Sequence, residues 1–309
     1  MENITPAPAE PEAAIEVTGA ARHFGPIRAV DGVDLAIGRG ELFGLIGHNG
    51  AGKSTLFRMM LGLLPASAGR IRIDGVDVAS RGFREIRRHI GYLPENVVLY
   101  DNLTALETLH FFARLKQADP AGCAAVLERV GLTHATHRRV REFSKGMRQR
   151  LGFAQALLGR PRILFLDEPT NGLDPEAIRD FYATLRALRD EGVTVVLTSH
   201  ILSEIQQRVD RLAIMAAGRI RSLGTVQALR EAMDLPLVIE IATTAPDTVR
   251  GALAPLGLDA TPADAGLTLR CPRERKMAML ATLATLGGAV RDLAIHEPSL
   301  EDVFFGFAD

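Results

Sequence analysis

Apolar residues along this chain change spacing several times, and each change marks an element. Leu42-Phe43-Gly44-Leu45-Ile46, Arg162-Ile163-Leu164-Phe165-Leu166 and Val193-Thr194-Val195-Val196-Leu197 are short, nearly continuous apolar runs. Such runs predict buried strands. Arg211-Leu212-Ala213-Ile214-Met215 predicts another, followed by a turn at Gly218. Ile15-Glu16-Val17, the partly alternating stretch 29–37, and Arg70-Ile71-Arg72-Ile73 also read as strands, and Ile90-Gly91-Tyr92-Leu93 reads as a strand running into a loop at Pro94. Residues 55–61, 82–89 and 176–189 read as helices. From 104 to 160 the apolar spacing is helical, through Leu106, Leu109, Phe112, Ala113 and Leu115, then Val126, Leu127 and Val130, ending in a helix over 151–158.

Beyond residue 235 the character changes. Strands are predicted over 237–241, 267–271 and 290–295, and helices over 248–256, 274–286 and 299–307. This βαβαβα order predicts a small separate α+β domain. The expected organisation is a tail over 1–14, rich in Pro, Ala and Glu, a main domain over 15–230 with a helical insertion at about 98–160, and an accessory domain over 235–309.

Chemistry enters at the end of the Leu42–Ile46 run. Gly47-His48-Asn49-Gly50-Ala51-Gly52-Lys53-Ser54-Thr55 fits G-x-x-x-x-G-K-[ST], the phosphate-binding loop of P-loop NTPases. Its glycines allow a tight turn that aims backbone N–H groups at phosphate, and the following helix adds the positive end of its dipole. Lys53 can reach terminal phosphates, and the Ser54 hydroxyl can ligate Mg²⁺. An unliganded Gly-rich turn is disfavoured because strand, loop and helix all agree.

Asp167 and Glu168 end the Ile163–Leu166 run, and ligands bind at that end of strands in open α/β sheets. Asp167 suits a Mg²⁺ shell, and Glu168 is placed to orient or deprotonate a water. His200 ends the neighbouring apolar run, so parallel pairing brings it to the same crevice. Asp174-Pro175 reads as an N-cap followed by Pro at the first helical position. Phe24 is either a core residue or a ring on which adenine stacks.

Composition narrows the function class. The 309 residues are 47% hydrophobic and 24% charged, with net charge -1, so no overall field draws the chain to nucleic acid or anionic lipid. The cation-rich stretch 138–150, a single patch with Phe143 its one aromatic, is read as a solvated face. Two distant cysteines, Cys123 and Cys271, argue against a disulfide scaffold. No signal peptide and no apolar run of about 18 residues is seen, so a cytoplasmic location is expected and a membrane role requires a partner. His134 and His137 could share a helical face but lack a third metal ligand, and Met59-Met60 read as core.

The order of P-loop, Phe143-Ser144-Lys145-Gly146-Met147, Leu166-Asp167-Glu168-Pro169 and Ser199-His200 resembles the ATP-binding cassette (ABC) ATPases. The resemblance implies an α/β fold: a P-loop NTPase of ABC type with a helical subdomain, here followed by the α+β domain. It implies ATP and Mg²⁺ as ligands, with Ser54, Asp167 and Glu95 at the metal. Ser144 and Gly146 match the family's LSGGQ signature, which contacts the γ-phosphate across a dimer, while Lys145 and Met147 depart from it. Phe24 then matches the adenine-stacking aromatic, Glu168 the catalytic carboxylate, His200 the switch histidine and Asp174 the D-loop acid. Glu95 stands where the family usually has glutamine. A single cassette without sustained heptads or a basic tail disfavours the soluble DNA- or ribosome-acting members, and the lack of an Asn-Lys-x-Asp run disfavours a GTP switch.

A narrower resemblance rests on Gly47–Gly50, Gly91–Val97, Phe112–Lys116, the Arg138–Gly159 run and Ile295–Asp302. These look like the ATPase subunits of the transporter that matures the copper site of nitrous oxide reductase. Drug and sodium exporter ATPases share part of the pattern. Membership implies a homodimer on the cytoplasmic face of the inner membrane, a membrane permease and, indirectly, a periplasmic binding protein. Copper or sulfur cargo would then pass through the partner.

Overall fold

The computed structural model describes residues 13–232, 236–263 and 266–296. Residues 1–12 of the expected 1–14 tail and the expected helix over 299–307 lie outside them. Internal contacts divide the chain into two units, with the break between Thr225 and Val226.

The first unit holds two sheets. One has six strands in the order Arg219–Gly224, Arg211–Ala216, Leu42–Ile46, Thr194–Ser199, Ile163–Leu166, Ile90–Leu93. All neighbours are parallel except the first pair. Leu42–Ile46, Ile163–Leu166 and Thr194–Ser199 are buried at every residue, which explains their unbroken apolar runs. Phe43, Phe57 and Phe165 sit in the core beside them, with Phe57 and Phe165 edge to face at 5.3 Å.

The second sheet is antiparallel, in the order Ile27–Gly38, Ala13–Phe24, Ala68–Ile73, Val76–Asp77. Its long central strand extends the predicted Ile15–Val17 in both directions. Ala13 and Ala14, assigned to the tail by composition, belong to this strand: Ala13 pairs with Gly38 and Ala14 is buried. Small residues pack there where no bulky apolar side chain announces a strand.

Between the Ile90–Leu93 and Ile163–Leu166 strands lie the helices Ala105–Lys116, Cys123–Arg129 and Lys145–Leu157. The first opens on a capping box, Thr104 with Glu107. The third starts well before residue 151. Ser144 is its N-cap and accepts a hydrogen bond from the Met147 N–H at 3.2 Å. Its first turn, Lys145-Gly146-Met147-Arg148, is exposed or half-buried and carries no apolar face, so periodicity alone misses it.

The second unit contains a sheet in the order Ala260–Ala263, Gly266–Cys271, Leu237–Thr243, Val290–His296, antiparallel throughout. Helices Pro246–Leu253 and Lys276–Thr285 contribute Val249, Leu253, Met279 and Leu283 to its core. The described order is βαββαβ, a ferredoxin-like arrangement, where the sequence predicted βαβαβα. The strand missed is Ala260–Ala263. It carries Pro262 and exposes three of its four residues, which a sheet edge tolerates.

Candidate functional site

The P-loop joins the Leu42–Ile46 strand to the helix Lys53–Met60. Two glycines are required by close packing. A Cβ on Gly47 would lie 2.3 Å from the Met215 carbonyl oxygen. One on Gly52 would lie 2.3 Å from the Ala29 carbonyl oxygen, and Gly52 also has φ +104°. The Gly218 N–H donates to the Ala51 carbonyl at 3.0 Å, and the Ala51 N–H donates to the His48 carbonyl at 3.1 Å. The loop is thus fixed from outside and within. The first-turn N–H groups of the helix have no intrahelical acceptor, which makes this terminus suited to an anion.

Lys53 is 6% exposed. Its ammonium donates to the Gly47 carbonyl at 2.5 Å and the His48 carbonyl at 3.4 Å, and lies 3.7 Å from Glu168 Oε1. The cation is folded over its own loop toward the carboxylate.

Strand order explains how the acids arrive. The Thr194–Ser199 strand lies between the P-loop strand and the acid strand. Its register sets Ile46 beside Ser199 and Leu166 beside Leu197. Asp167 therefore sits next to Thr198, whose hydroxyl donates to Asp167 Oδ1 at 2.6 Å. The same hydroxyl oxygen accepts the Glu168 N–H at 2.9 Å. Burial pushes the Asp167 carboxyl above its ordinary range, with the Glu168 and Glu95 charges adding to this and Thr198 and Lys53 opposing it.

Glu168 has φ 47°, a left-handed conformation that costs a non-glycine residue ~1 kcal/mol or more. Its Oε2 lies 2.8 Å from His200 Nδ1. A carboxylate at that distance accepts from Nδ1–H, so the neutral ring carries its proton on Nδ1. The strained turn aims Glu168 between an ammonium and an imidazole.

Residues 48–55, Glu95, Glu168, Asn171 and His200 line one cleft, with Asp167 buried behind it. The fold thus gathers Asn49, Gly50, Ala51, Gly52, Lys53, Ser54, Thr55, Glu95, Glu168 and His200. Phe24, Ser144, Gly146 and Asp174 are not in its lining. Phe24 is 44% exposed at the tip of the Ala13–Phe24 strand, with the Arg22 guanidinium 4.7 Å over its ring. Asp174 caps the helix Pro175–Asp190 by accepting the Ala177 N–H at 2.8 Å. The start of the Ser144-capped helix lies against the 170–174 turn of the same chain: Lys145 covers Gly172 and Leu173 approaches Gly146.

Residues 30–171 match the family model for ABC transporters. The chain is 35% identical over 302 residues to the daunorubicin resistance ATP-binding protein DrrA3 of Streptomyces coeruleorubidus, covering 95% of each chain. The chain belongs to the ABC transporter ATP-binding family. The cassette is also 41% identical over 208 residues to the bacitracin transport ATP-binding protein BcrA of Bacillus licheniformis, covering 67% of this chain and 68% of that one. Among solved structures it is similar to an ATP-binding subunit of an ABC transporter, with TM-score 0.66 and 31% identity over 71% of this chain and 93% of that one. It is also similar to a dimeric bacterial ABC transporter cassette, with TM-score 0.64 and 25% identity over 69% and 98%. The ABC-type P-loop NTPase fold follows, and with it ATP binding and hydrolysis coupled to transport.

Two residues of this ABC cassette escaped the sequence reading. Thr198 bridges both acids. Gln149, buried, donates to the Pro169 carbonyl at 2.9 Å and ties the Ser144-capped helix to the Asp167-Glu168-Pro169 turn. For Thr198 the available signal was a polar residue inside a buried apolar run; Gln149, flanked by Arg148 and Arg150, gave none.

P-loop chemistry directs the Lys53 ammonium at the β/γ-phosphates, so Lys53→Ala is expected to remove a charge-assisted contact of a type worth about 1.5–3 kcal/mol. ATP affinity falls about ten-fold or more, measured by equilibrium binding of a fluorescent ATP analogue. An unchanged dissociation constant would reject this role for Lys53.

Proposed function

We propose that two copies of this chain form a transport motor that closes on two ATP molecules and reopens after hydrolysis. The observation that carries it is Glu168, held between Lys53 and His200 in the P-loop cleft. ATP binding draws Lys53 to the β/γ-phosphates and away from its loop carbonyls. Glu168 is then free to orient and deprotonate the attacking water, and His200 fixes its carboxylate by donating from Nδ1. Ser54, Asp167 and Glu95 offer only oxygen donors, which fits Mg²⁺ together with phosphate oxygens. Bound there, Mg²⁺ would neutralise charge developing on the phosphates. Phe24 stacks the adenine. Ser144, Gly146 and Asp174 serve the nucleotide of the opposite copy, in keeping with their absence from the lining of this chain's own cleft. The dimeric relative supports this arrangement.

The moving load is a membrane permease. No helix among the described residues is long and apolar enough to cross a membrane, so attachment to the cytoplasmic face of the inner membrane is through that partner. The chain pellets with membranes when a cognate permease is co-expressed and stays in the supernatant without it. Equal membrane recovery in both fractionations contradicts a permease-borne location.

Two cargo readings are supported by different observations. The Gly91–Val97, Phe112–Lys116 and Arg138–Gly159 segments support copper or sulfur delivery for nitrous oxide reductase, with a periplasmic binding protein downstream. Similarity to daunorubicin resistance proteins over 95–96% of the chain, the second unit included, supports drug export. Deleting the gene separates them. The first reading expects nitrous oxide reductase lacking its copper site, and the second expects increased sensitivity to an aromatic polycyclic drug.

A further inference from the structure

The strand Ala13–Phe24 returns through the tight turn Phe24-Gly25-Pro26-Ile27, and both apolar side chains that flank the turn are exposed. The turn stands beside the P-loop. Ala29, on the returning strand, has its carbonyl oxygen 2.3 Å from where a Gly52 Cβ would lie. Pairing steps from Arg22 with Val30 to His23 with Arg28, which leaves Ala29 as the extra residue of a bulge. A bulge bends its strand and re-aims the side chains around it. An exposed aromatic ring at such a tip ordinarily changes rotamer freely.

Arg22 fastens this ring. Its Nη1 donates to the Pro65 carbonyl at 2.9 Å, and its guanidinium carbon lies 4.7 Å from the centre of the Phe24 ring. The backbone is tied at the same place. The His23 N–H donates to the Ser67 hydroxyl at 3.2 Å, and the Ser67 N–H donates to the Ala21 carbonyl at 2.7 Å. The Arg22 Nε is buried and has no hydrogen-bond partner among the described residues. A guanidinium partly stripped of water is drawn to a ring face more strongly than an exposed one. Pro65 lies beyond the C-terminal end of the Lys53–Met60 helix, whereas the P-loop is at its N-terminal end. Arg22 is thus tethered away from the phosphate-binding end of that helix.

On the reading that Phe24 stacks the adenine, we propose that Arg22 is a positioning residue for the base. It holds one face of the Phe24 ring so that the opposite face is presented to adenine. The guanidinium touches the ring and not the nucleotide. Ring and guanidinium are ordered before ATP arrives, so stacking does not have to immobilise a loose side chain. The cation also counters the negative charge of the ring face, which otherwise opposes face-to-face stacking. Phe24 is outside the lining of the P-loop cleft, so this contribution concerns the base and leaves the triphosphate untouched.

The test measures binding of ATP and of inorganic tripolyphosphate, each with Mg²⁺, to the full chain by calorimetry. Arg22→Met keeps the length of the side chain and removes its charge. It weakens ATP binding roughly two- to ten-fold, the range for ordering one free side chain on binding, and leaves tripolyphosphate binding unchanged. Phe24→Ala weakens ATP binding by about five-fold or more and also spares tripolyphosphate. The double variant loses no more than Phe24→Ala alone, because Arg22 acts through the ring. If Phe24→Ala binds ATP poorly while Arg22→Met binds it as tightly as the unaltered chain, or more tightly, the role of Arg22 is overturned and the stacking ring stands. Unchanged ATP affinity in Phe24→Ala overturns the stacking ring and the role of Arg22 together. Equal weakening of ATP and tripolyphosphate by Arg22→Met marks Arg22 as a prop for the P-loop helix through Pro65 and overturns the inference. Additive losses in the double variant overturn it as well.

Discussion

Glu168→Gln keeps ATP binding and lowers steady-state turnover by at least about a hundred-fold, within the range that general-base catalysis supplies. The substitution preserves volume and can still hydrogen-bond His200, so the φ 47° turn and the Thr198 contact to its N–H remain. What it removes is the ability to accept a proton from water. It also removes the negative charge 3.7 Å from Lys53, so ATP affinity stays level or rises. The comparison is single-turnover hydrolysis beside equilibrium binding on the same preparation. Near wild-type turnover in this variant would reject Glu168 as the base. Loss of binding in parallel with turnover would instead mark it as a structural support for Lys53.

The parts of this site that were legible in the sequence are those in which chemistry and position are contiguous. Gly47–Thr55 carries its own turn, cation and helix start, and Asp167-Glu168 follows a strand that announces itself by four buried apolar residues. Thr198 and Gln149 were not legible. Thr198 acts only because the strand register sets Leu166 beside Leu197, a pairing between segments about thirty residues apart that no local pattern encodes. Gln149 acts only because the helix begins at Lys145, and that start was hidden by a first turn without an apolar face. The Ala260–Ala263 edge strand was missed for a related reason. An edge needs only one covered side, so its sequence is under little pressure to look like a strand.

This contrast bears on Ser144. Within one chain its hydroxyl is occupied by the Met147 N–H at 3.2 Å, and it does not line the cleft that holds Lys53. The intramolecular fold therefore gives Ser144 a capping role and no nucleotide. The positive end of the Lys145–Leu157 helix is nevertheless placed beside it, with no acidic residue in the first turn to neutralise it. A γ-phosphate brought by a second copy would find a hydroxyl and a helix terminus already oriented. ADP lacks that phosphate and cannot bridge the copies.

Combining Glu168→Gln with ATP thus traps a dimer, and ADP leaves the same variant monomeric, as read by size-exclusion chromatography with light scattering. Adding Ser144→Arg abolishes the ATP-trapped dimer, because the long side chain fills the space the phosphate needs. Loss of the helix cap accompanies this change and costs about 1 kcal/mol. Ser144→Ala loses the same cap without the bulk, so it separates the two effects: it weakens the dimer, whereas arginine excludes it. Thermal unfolding of both variants shows that the fold survives. In the assembled complex with the permease, Ser144→Arg lowers ATP hydrolysis to the level of Glu168→Gln. Full ATPase activity of Ser144→Arg in that complex would mean that the nucleotide is not shared between copies and that this chain completes its site alone.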